Sequence, residues 1–487
     1  MYICSKPWIM TDIAVFNEIC TVAFNVIYFS VILTTIFVVI LDNRNPVKTM
    51  AWILVLFFLP VIGLIFYFFF GRSTRKERLI SRRGYTRLSK RPMAEYQQQA
   101  AIRELPDQSR LMSFFNRVNG ALAFGGNDIT VYTDGYAMLK GLLREISHAQ
   151  KHIHIQFYIF EDDPVGRLLR DALIDKAREG VKIRVLYDDV GCWKVDHAFF
   201  EQMLFEGIEV QSFLKVRFPR FTSKVNYRNH RKLAIIDGKV GFVGGMNIAE
   251  RYIRGFDWGI WRDTHVRISG KAVYGLQTSF LTDWYLVDRT LFTSAEFFPK
   301  IEPQGDVVAQ IVTSDPVGDW RDIMQGLTMA ICSARRYFYI QTPYLLPTET
   351  INQALQTAAL AGVDVRIMMP KRADAWLIHK GSLSYLEELM KAGVKIYLYK
   401  KGFLHSKLMV CDDELSTIGS TNMDFRSFEH NFEANAFFYH RETALALKEI
   451  FLTDQRDCML LSKNLWDKRS WKSKVTESVV RLLSPLL

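Results

Sequence analysis

The sequence lacks the grouped cysteines that a structural zinc site or a disulfide framework would need. Its 487 residues include six cysteines, none of which forms a CxxC pair, and no HExxH motif occurs. Scattered cysteines of this kind are typical of proteins in a reducing compartment. We therefore expect a protein that uses no metal, no disulfide and no other cofactor.

Charged residues are missing from two long stretches near the N-terminus, about residues 19–41 and 49–70. Each stretch is long enough to cross the hydrocarbon core of a bilayer, which takes about 20 helical residues. The segment between them is short, and its Asn45-Pro46 pair is a favourable helix start. These features predict a transmembrane hairpin over residues 1–72. A cleaved signal peptide is disfavoured because the first stretch is too long and a second follows at once.

Acidic residues are scarce just after this predicted hairpin. Between residues 72 and 91 there are nine Lys or Arg and one acid, within a chain whose net charge is +11. The positive-inside rule places this end in the cytoplasm, and the N-terminus with it. The basic juxtamembrane linker, residues 73–107, either contacts anionic headgroups or serves only as a topology signal.

Two near copies of one motif lie far apart in the chain. Residues 230–247 read HRKLAIIDGKVGFVGGMN, and residues 405–422 read HSKLMVCDDELSTIGSTN. Each has His, Lys two residues on, Asp seven on, a pair of small residues, and Asn two after that pair. The offset is constant, since 405 − 230 and 422 − 247 both equal 175. Packing alone does not explain two such matched sets.

The spacing within each motif separates two kinds of residue. Residues two apart on a strand face the same way, so each His and its Lys project together. Asp237 has the opposite parity, and Asp237-Gly238 is a good hairpin turn between apolar runs. This parity favours a structural role for Asp237, and the second motif repeats the pattern at Asp412.

At these residues the sequence resembles the phospholipase D superfamily, whose signature is HxKxxxxD followed by GGxN or GSxN. The resemblance implies one site built from both copies, with supporting acids downstream. The signature residues, expected to be catalytic, are His230, Lys232, Asp237, His405, Lys407 and Asp412. The expected supporting residues are Asn247, Asn422, Asp263 and Glu433. The resemblance also favours His230 as the nucleophile and His405 as the general acid; the opposite assignment stays open.

The internal repeat extends beyond the signature. Strand, helix and strand patterns follow one another in residues 151–188 and again in residues 336–370. Gln156 pairs with Gln341, Gly180 with Gly362, and Gly207 with Gly393 in this alignment. We therefore predict an α/β fold of two similar halves, residues 108–300 and 301–487, each a mixed sheet flanked by helices and related by a pseudo-twofold.

Paired His and Lys residues suit the cleavage of a phosphodiester. The reaction needs a nucleophile, an acid behind the leaving oxygen, and positive charge around the phosphoryl oxygens. Two imidazoles supply the first two, and the lysines with the two Asn amides supply the third. Zinc ligation by the histidines is the least favoured alternative, because no acidic cluster accompanies them.

The whole layout, including the hairpin with Arg44-Asn45-Pro46 in its loop and a Ser-Pro-Leu-Leu tail, resembles the bacterial cardiolipin synthases. That resemblance implies transfer of a phosphatidyl group from one phosphatidylglycerol to another through a phosphohistidine, releasing glycerol. Its expected partners are phospholipid and bilayer, with no nucleic acid, and its expected location is the bacterial inner membrane, multi-pass, with the body in the cytoplasm. The alternatives are a phospholipase D or phosphatidyltransferase with another acceptor, a membrane-tethered nuclease, and a non-catalytic scaffold.

Two further segments leave alternatives open. Residues 214–230 mix basic and aromatic side chains and form either an electropositive mouth to the site or a solvated loop. Residues 465–487 mix Trp, Val and Leu with basic residues. They form either an interfacial amphipathic helix or a helix packed on the catalytic body.

Overall fold

The computed structural model describes residues 7–41, 46–67, 109–216, 227–290, 292 and 294–484. Contacts divide the described residues into an N-terminal unit of helices and a body that begins at residue 109. The predicted linker, residues 73–107, lies outside the described residues. So does most of the basic and aromatic segment, at residues 217–226.

The N-terminal unit contains three helices, α1 (Pro7–Leu41), α2 (Pro46–Phe58) and α3 (Pro60–Phe66). Within α1, residues 15–41 are apolar and long enough to cross a membrane, and no other described helix meets that criterion. The second predicted span is interrupted at Leu59 (φ −132°, ψ 62°), because Pro60 removes a helical N–H and its ring clashes with the preceding turn. Val39, Leu56 and Tyr67 pack together, so the three helices contact one another. The predicted hairpin is thus shown only in part.

The body contains twenty strands and fourteen α-helices among its described residues. In the first half the strands are β1 (Ala123–Tyr132), β2 (His152–Phe157), β3 (Lys182–Asp188), β4 (Glu209–Phe213), β5 (Arg228–Asn229), β6 (Leu233–Ile236), β7 (Val240–Gly244), β8 (Ile260–Arg262) and β9 (His265–Ser269). The helices there are α4 (Ser109–Asn119), α5 (Gly135–Ser147), α6 (Pro164–Arg178), α7 (His197–Phe205), α8 (Arg251–Arg254) and α9 (Val273–Asp288). A short 3₁₀ turn, Ala295–Phe297, follows.

The second half repeats this order. Its strands are β10 (Val307–Ser314), β11 (Tyr337–Gln341), β12 (Leu345–Leu346), β13 (Asp364–Pro370), β14 (Lys395–Tyr399), β15 (Gly402–Leu404), β16 (Leu408–Cys411), β17 (Leu415–Gly419), β18 (Met423–Asp424), β19 (Asn431–Tyr439) and β20 (Cys458–Leu460). Its helices are α10 (Asp322–Ser333), α11 (Glu349–Leu360), α12 (Trp376–Leu383), α13 (Leu386–Lys391), α14 (Phe425–Glu429), α15 (Arg441–Arg456), α16 (Lys463–Asp467) and α17 (Trp471–Leu482).

One large sheet joins both halves, in the strand order β20-β14-β13-β11-β16-β17-β19-β10-β1-β9-β7-β6-β2-β3-β4, with β5 attached to β19. Apart from β20 at one edge, the order reads the same outward from its centre in both directions. The first half runs β1-β9-β7-β6-β2-β3-β4, and the second runs β10-β19-β17-β16-β11-β13-β14. The antiparallel pair β1 and β10 lies at the centre. This confirms the predicted α/β fold with a pseudo-twofold relation.

The repeated strand-helix-strand units form for the same local reasons in both halves. β2 pairs in parallel with β3 across helix α6, and β11 pairs in parallel with β13 across helix α11. Asp163 caps the start of α6 and Thr348 caps the start of α11. Gly180 and Gly362 end these helices with φ of 90° and 91°, a conformation that glycine adopts without strain.

The first helix of the body packs against the half to which it does not belong by sequence. Helix α4 belongs to the first half by sequence, yet Leu111, Met112 and Phe115 pack in the second core, beside α10. The approach is close, since a Cβ added at Gly326 would lie 2.2 Å from the Phe115 ring. The two halves therefore share part of their hydrophobic core.

The C-terminal segment fits both alternatives, a helix packed on the body and an amphipathic helix with an exposed apolar side. Helix α17 packs on α12, and its buried Glu477 pairs with Arg469 and lies 3.6 Å from Lys380 Nζ. Its opposite side exposes Trp471, Val475 and Val479. One side of the helix is thus fixed to the body, and the other is an apolar surface.

Candidate active site

A short strand before each signature histidine joins the two halves. β5 pairs in parallel with the start of β19, and the His230 N–H donates to the carbonyl of Phe432 at 3.0 Å. In the same way β15 pairs with β8, and the His405 N–H donates to the carbonyl of Arg262 at 2.7 Å. Phe432 and Arg262 immediately precede Glu433 and Asp263. Each histidine is therefore attached beside the downstream acid of the other half.

The histidine side chains follow the same cross-connection. His230 Nδ1 lies 2.9 and 3.1 Å from the two carboxylate oxygens of Glu433, and His405 Nδ1 lies 2.6 Å from Asp263 Oδ2. Burial raises the pKa of both carboxyls, but the adjacent imidazoles and lysines more than offset it, so both pKa values lie below their ordinary range. An ionised carboxylate at Nδ1 fixes the tautomer and leaves Nε2 as the free ring nitrogen. Neither half contains a complete histidine and acid pair.

The signature lysines are buried against their own histidines. Lys232 Nζ donates to the carbonyl of His230, and Lys407 Nζ donates to the carbonyl of His405 and lies 3.0 Å from His405 Nδ1. Burial lowers the pKa of Lys407 to about 8 and that of Lys232 well below its ordinary value. The spacing of two residues thus brings each Lys to its His, although both pairs lie just before strands β6 and β16 and not within them.

The small residues of each motif make room for the strand that carries the acid. A Cβ added at Gly245 would lie 2.1 Å from Asp263 Oδ1, and one at Gly419 would lie 2.0 Å from Asn435 Oδ1. Ser420, in the place of Gly245, donates its hydroxyl to Glu433. A side chain at Gly245 would displace Asp263, and one at Gly419 would displace Asn435, two residues after Glu433.

Asn247 and Asn422 follow these small residues, and both line the same cavity as the histidines. Asn247 Oδ1 accepts from the Ile159 N–H at 3.1 Å, and its Nδ2 donates to the Tyr252 hydroxyl at 2.5 Å. Asn422 Oδ1 is buried without a hydrogen-bond partner in the described part of the chain. Both amides are therefore positioned at the cavity wall.

Asp237 and Asp412 lie in the turns at the far ends of β6 and β16 and do not line the cavity. The Asp237 carboxylate accepts from the backbone N–H groups of residues 150, 151 and 152 at 2.7–2.9 Å. Asp412 makes the same three contacts with residues 335, 336 and 337 at 2.7–2.9 Å. Both aspartates have a φ of 53°. The geometry gives each a structural role, holding the start of β2 or β11 against the hairpin.

The two histidines open on one cavity of about 260 Å³. It is lined by Tyr158, Ile159, Arg228, His230, Asn247, Arg251, Tyr252, Trp261, Tyr344, Asp374, Ile378, His405, Asn422, Asp424, Arg426 and Asn431. Both halves contribute to this lining. The cavity brings two imidazoles, two amides and several aromatic rings around a volume suited to a phosphodiester headgroup.

Comparison with known proteins identifies the family. A family model described as "Cardiolipin synthase, PLD-like domain" matches residues 142–284 and 327–455. A cardiolipin synthase from Geobacillus sp. (strain WCH70) is 41% identical over 462 residues, covering 93% of this chain and 91% of that protein. The major cardiolipin synthase ClsA of Bacillus subtilis (strain 168) is 40% identical over 471 residues, covering 94% of this chain and 97% of that protein. The chain belongs to the cardiolipin synthase family. It is accordingly an enzyme of the phosphatidyltransferase class.

Two further similarities concern the architecture. A family model described as "Phospholipase_D-nuclease N-terminal" matches residues 30–72. A crystal structure of phosphatidylserine synthase from Haemophilus influenzae Rd KW20 superposes with a TM-score of 0.61 at 14% identity, covering 78% of this chain and all of that chain. At this identity the superposition shows a shared fold.

Sequence reasoning missed two buried ion-pair networks behind the histidines. The first joins Arg231, Asp283 and Gln156, and the second joins Arg262, Asp454 and Gln341. Arg231 also donates to the carbonyl of Glu433 at 3.1 Å, and Arg262 donates to the carbonyl of Asp263. Each network therefore holds the backbone of one orienting acid. The pairing of Gln156 with Gln341 in the internal repeat was the only sequence signal for these networks. Their aspartates, Asp283 and Asp454, lie outside the part of the repeat that the sequence shows.

Proposed function

We propose that the chain converts two molecules of phosphatidylglycerol into cardiolipin and glycerol through a phosphohistidine. The observation that carries this proposal is the crossed pairing of His230 with Glu433 and of His405 with Asp263 at one cavity. Each Nδ1 faces a carboxylate, so each Nε2 is the nitrogen available for chemistry. One imidazole is then available on either side of a phosphorus atom, as an in-line displacement requires.

In the first half-reaction His230 Nε2 attacks the phosphorus of one phosphatidylglycerol. The nitrogen–phosphorus bond forms while the bond from phosphorus to the glycerol oxygen breaks. His405 gives its proton to that oxygen, and glycerol leaves. In the second half-reaction a hydroxyl of another phosphatidylglycerol loses its proton to His405 and attacks phosphorus, so the nitrogen–phosphorus bond breaks and cardiolipin forms.

Both histidines are neutral before the substrate binds. Burial lowers the pKa of His230 to about 4 and that of His405 to about 3. A neutral His230 is the form that a nucleophile needs. A bound phosphodiester adds a negative charge beside His405 and raises its pKa, so the acid gains its proton together with the substrate.

Positive charge and amide donors surround the reacting group. Lys232 and Lys407 lie directly behind the histidines in a fully buried environment, where charge acts on the phosphoryl oxygens more strongly than in water. Asn247 and Asn422 supply amide groups at the cavity wall. We propose these four residues as the groups that stabilise the phosphoryl oxygens.

A lipid acceptor explains why the body follows an apolar N-terminal helix. Both proposed substrates stay in the bilayer, and an anchored site meets them at high local concentration. We propose that the N-terminal unit spans the bacterial inner membrane more than once and that the body faces the cytoplasm, on the basis of the basic residues after residue 70. A C-terminal tag reached by protease only in inverted membrane vesicles would support this orientation, and cleavage in intact spheroplasts would contradict it.

The reaction is tested with purified protein and phosphatidylglycerol as the only lipid in detergent. We expect cardiolipin and glycerol in equal amounts, and neither product with His230→Ala. Phosphatidic acid in place of cardiolipin would show that water is the acceptor. No turnover of phosphatidylglycerol, with hydrolysis of DNA instead, would replace this proposal with a nuclease.

A further inference from the structure

The two ends of the cavity differ in chemistry although the fold repeats. At the His405 end, Trp261 lies 5.1 Å from the His405 ring and Tyr252 lies 5.9 Å from it, between ring centroids. Tyr344 and Asp374 line the same cavity. The Tyr344 ring centroid lies 6.3 Å from that of Phe403, which lies 5.6 Å from that of His405, so Tyr344 and its partner Asp374 belong to this end.

Tyr344 and Asp374 form a defined pair at this end. The Tyr344 hydroxyl lies 2.9 and 2.8 Å from the two carboxylate oxygens of Asp374 and donates to this carboxylate. Burial and the adjacent carboxylate raise the pKa of Tyr344, so the hydroxyl keeps its proton. The carboxylate has acceptor capacity beyond this one donor.

The indole of Trp261 supplies an unused donor. Its side chain belongs to the cavity lining, and the residue is 7% exposed. The buried Nε1–H has no hydrogen-bond partner among the residues that the structure describes. A buried donor without a partner is costly, and a ligand oxygen would satisfy this one after a small shift of the indole, because the Nε1 atom is closed to solvent in this structure.

The equivalent positions in the first half carry neither group. Ile159 follows Gln156 by three residues, as Tyr344 follows Gln341, and Cys192 follows Gly180 by twelve residues, as Asp374 follows Gly362. The Tyr344–Asp374 pair therefore has no counterpart at these two positions of the first half.

We propose that Trp261, Tyr344 and Asp374 form the binding site for the polyol headgroup of the lipid substrate. A glycerol hydroxyl donates to Asp374, and a glycerol oxygen accepts from the Trp261 N–H. The guanidinium of Arg251 lies 5.6 Å from the Tyr252 ring centroid at the same end, and its charge is paired with Glu161.

This inference rests on the proposed function. It implies that the His405 end of the cavity binds a headgroup in both half-reactions. The headgroup of the donor lipid occupies the site while His405 protonates the leaving oxygen. The headgroup of the acceptor lipid then occupies it while His405 takes a proton from the attacking hydroxyl. One polyol site therefore serves both half-reactions.

The test compares two donor lipids with identical acyl chains, phosphatidylglycerol and phosphatidylpropanol, whose headgroup lacks the free hydroxyls. The two lipids are supplied together, so that phosphatidylglycerol is the acceptor for both, and the relative rates of glycerol and propanol release give the ratio of their kcat/KM values. Asp374→Asn should lower the ratio of the two values by about tenfold, and Trp261→Phe by about fivefold, because each removes a hydrogen bond to a headgroup oxygen. Asp319→Asn and Trp320→Phe, outside the cavity lining, are the matched controls and should leave the ratio unchanged.

An unchanged ratio in both test variants, with cardiolipin still formed, would overturn the polyol site and leave the proposed function intact. A loss in Asp374→Asn confined to phosphatidylethanolamine would overturn it in favour of an ammonium site. A wild-type protein that turns over neither glycerol-headed lipid nor its analogue would overturn the inference together with the proposed function.

Discussion

The two halves of the body share a scaffold and differ in what surrounds each histidine. Arg251 and Arg426 occupy the same place, four residues after Asn247 and Asn422, and both line the cavity. Arg251 pairs with Glu161 at 2.5 Å, whereas Arg426 has no carboxylate partner among the described residues. The position equivalent to Glu161, five residues after Gln341, is Leu346.

This difference separates two consequences of the repeat. Duplication supplies a nucleophile and an acid from one motif, and the crossed pairs with Glu433 and Asp263 make each half depend on the other. The unmatched residues, Arg426 at one side and Asp374 with Tyr344 at the other, then give the two histidines different surroundings. The repeat supplies the two histidines that the reaction needs. The residues that differ between the halves give one histidine a different role from the other.

The largest expected effect comes from removing either histidine. His230→Ala and His405→Ala should each reduce cardiolipin formation to background, because each removes a chemical group, while the protein remains folded and in the membrane fraction. The measurement is cardiolipin synthesis together with the melting temperature of each variant. Substantial cardiolipin synthesis by either variant would show that one half is active without the histidine of the other.

The crossed acids should give the next largest effect. Glu433→Gln and Asp263→Asn should each lower kcat by about 100-fold, because the amide no longer fixes the protonated tautomer at Nδ1. KM for phosphatidylglycerol should change little, since neither acid lines the cavity. A variant in which only KM changes would show that the acid contacts substrate and does not orient a histidine.

The paired arginines test the asymmetry directly. Arg426→Gln should raise KM for phosphatidylglycerol by about tenfold, because it removes a cation available to a lipid phosphate. Arg251→Gln, the matched control from the other half, should change KM by less than about threefold, because Glu161 already neutralises that side chain. Equal effects of the two variants would mean that the halves bind phosphate equivalently.

The smallest effect on activity is expected at the turn aspartates. Asp237→Asn and Asp412→Asn should lower the free energy of unfolding by about 1–3 kcal/mol each. Each replaces a carboxylate that accepts three backbone N–H groups with an amide that has only one acceptor oxygen. Values of kcat/KM should stay within about twofold. A stable but inactive variant would return that aspartate to the catalytic set.

Much of the site could be predicted from the sequence because the motif that carries its reactive residues occurs twice, at a constant offset. His230, Lys232, Asn247 and their counterparts follow from the repeated motif and its resemblance to the superfamily signature. Asp263 and Glu433 were expected near the histidines from the family resemblance, but spacing alone does not show that each acid serves the other half. That pairing depends on β5 and β15, strands of 2 and 3 residues that no periodic pattern marks.

Other features depend on tertiary contacts that leave no local signal. The packing of α4 in the second core follows from the contact of Phe115 with Gly326, 211 residues apart as 326 − 115 shows. The break at Leu59 had a visible cause in Pro60, which the uniform hydrophobicity of residues 49–70 concealed. Tyr344 and Asp374 belong to no motif, so their place at the cavity emerges only from the fold.

The central claim is that two halves form one site in which His230 attacks and His405 acts as acid and base. The most direct test is to mix the protein with phosphatidylglycerol labelled at phosphorus, quench in denaturant under alkaline conditions, and map the labelled peptide. We predict that the label is found on His230 in the wild type and is absent in His230→Ala. Label on His405 that persists in His230→Ala would contradict this account.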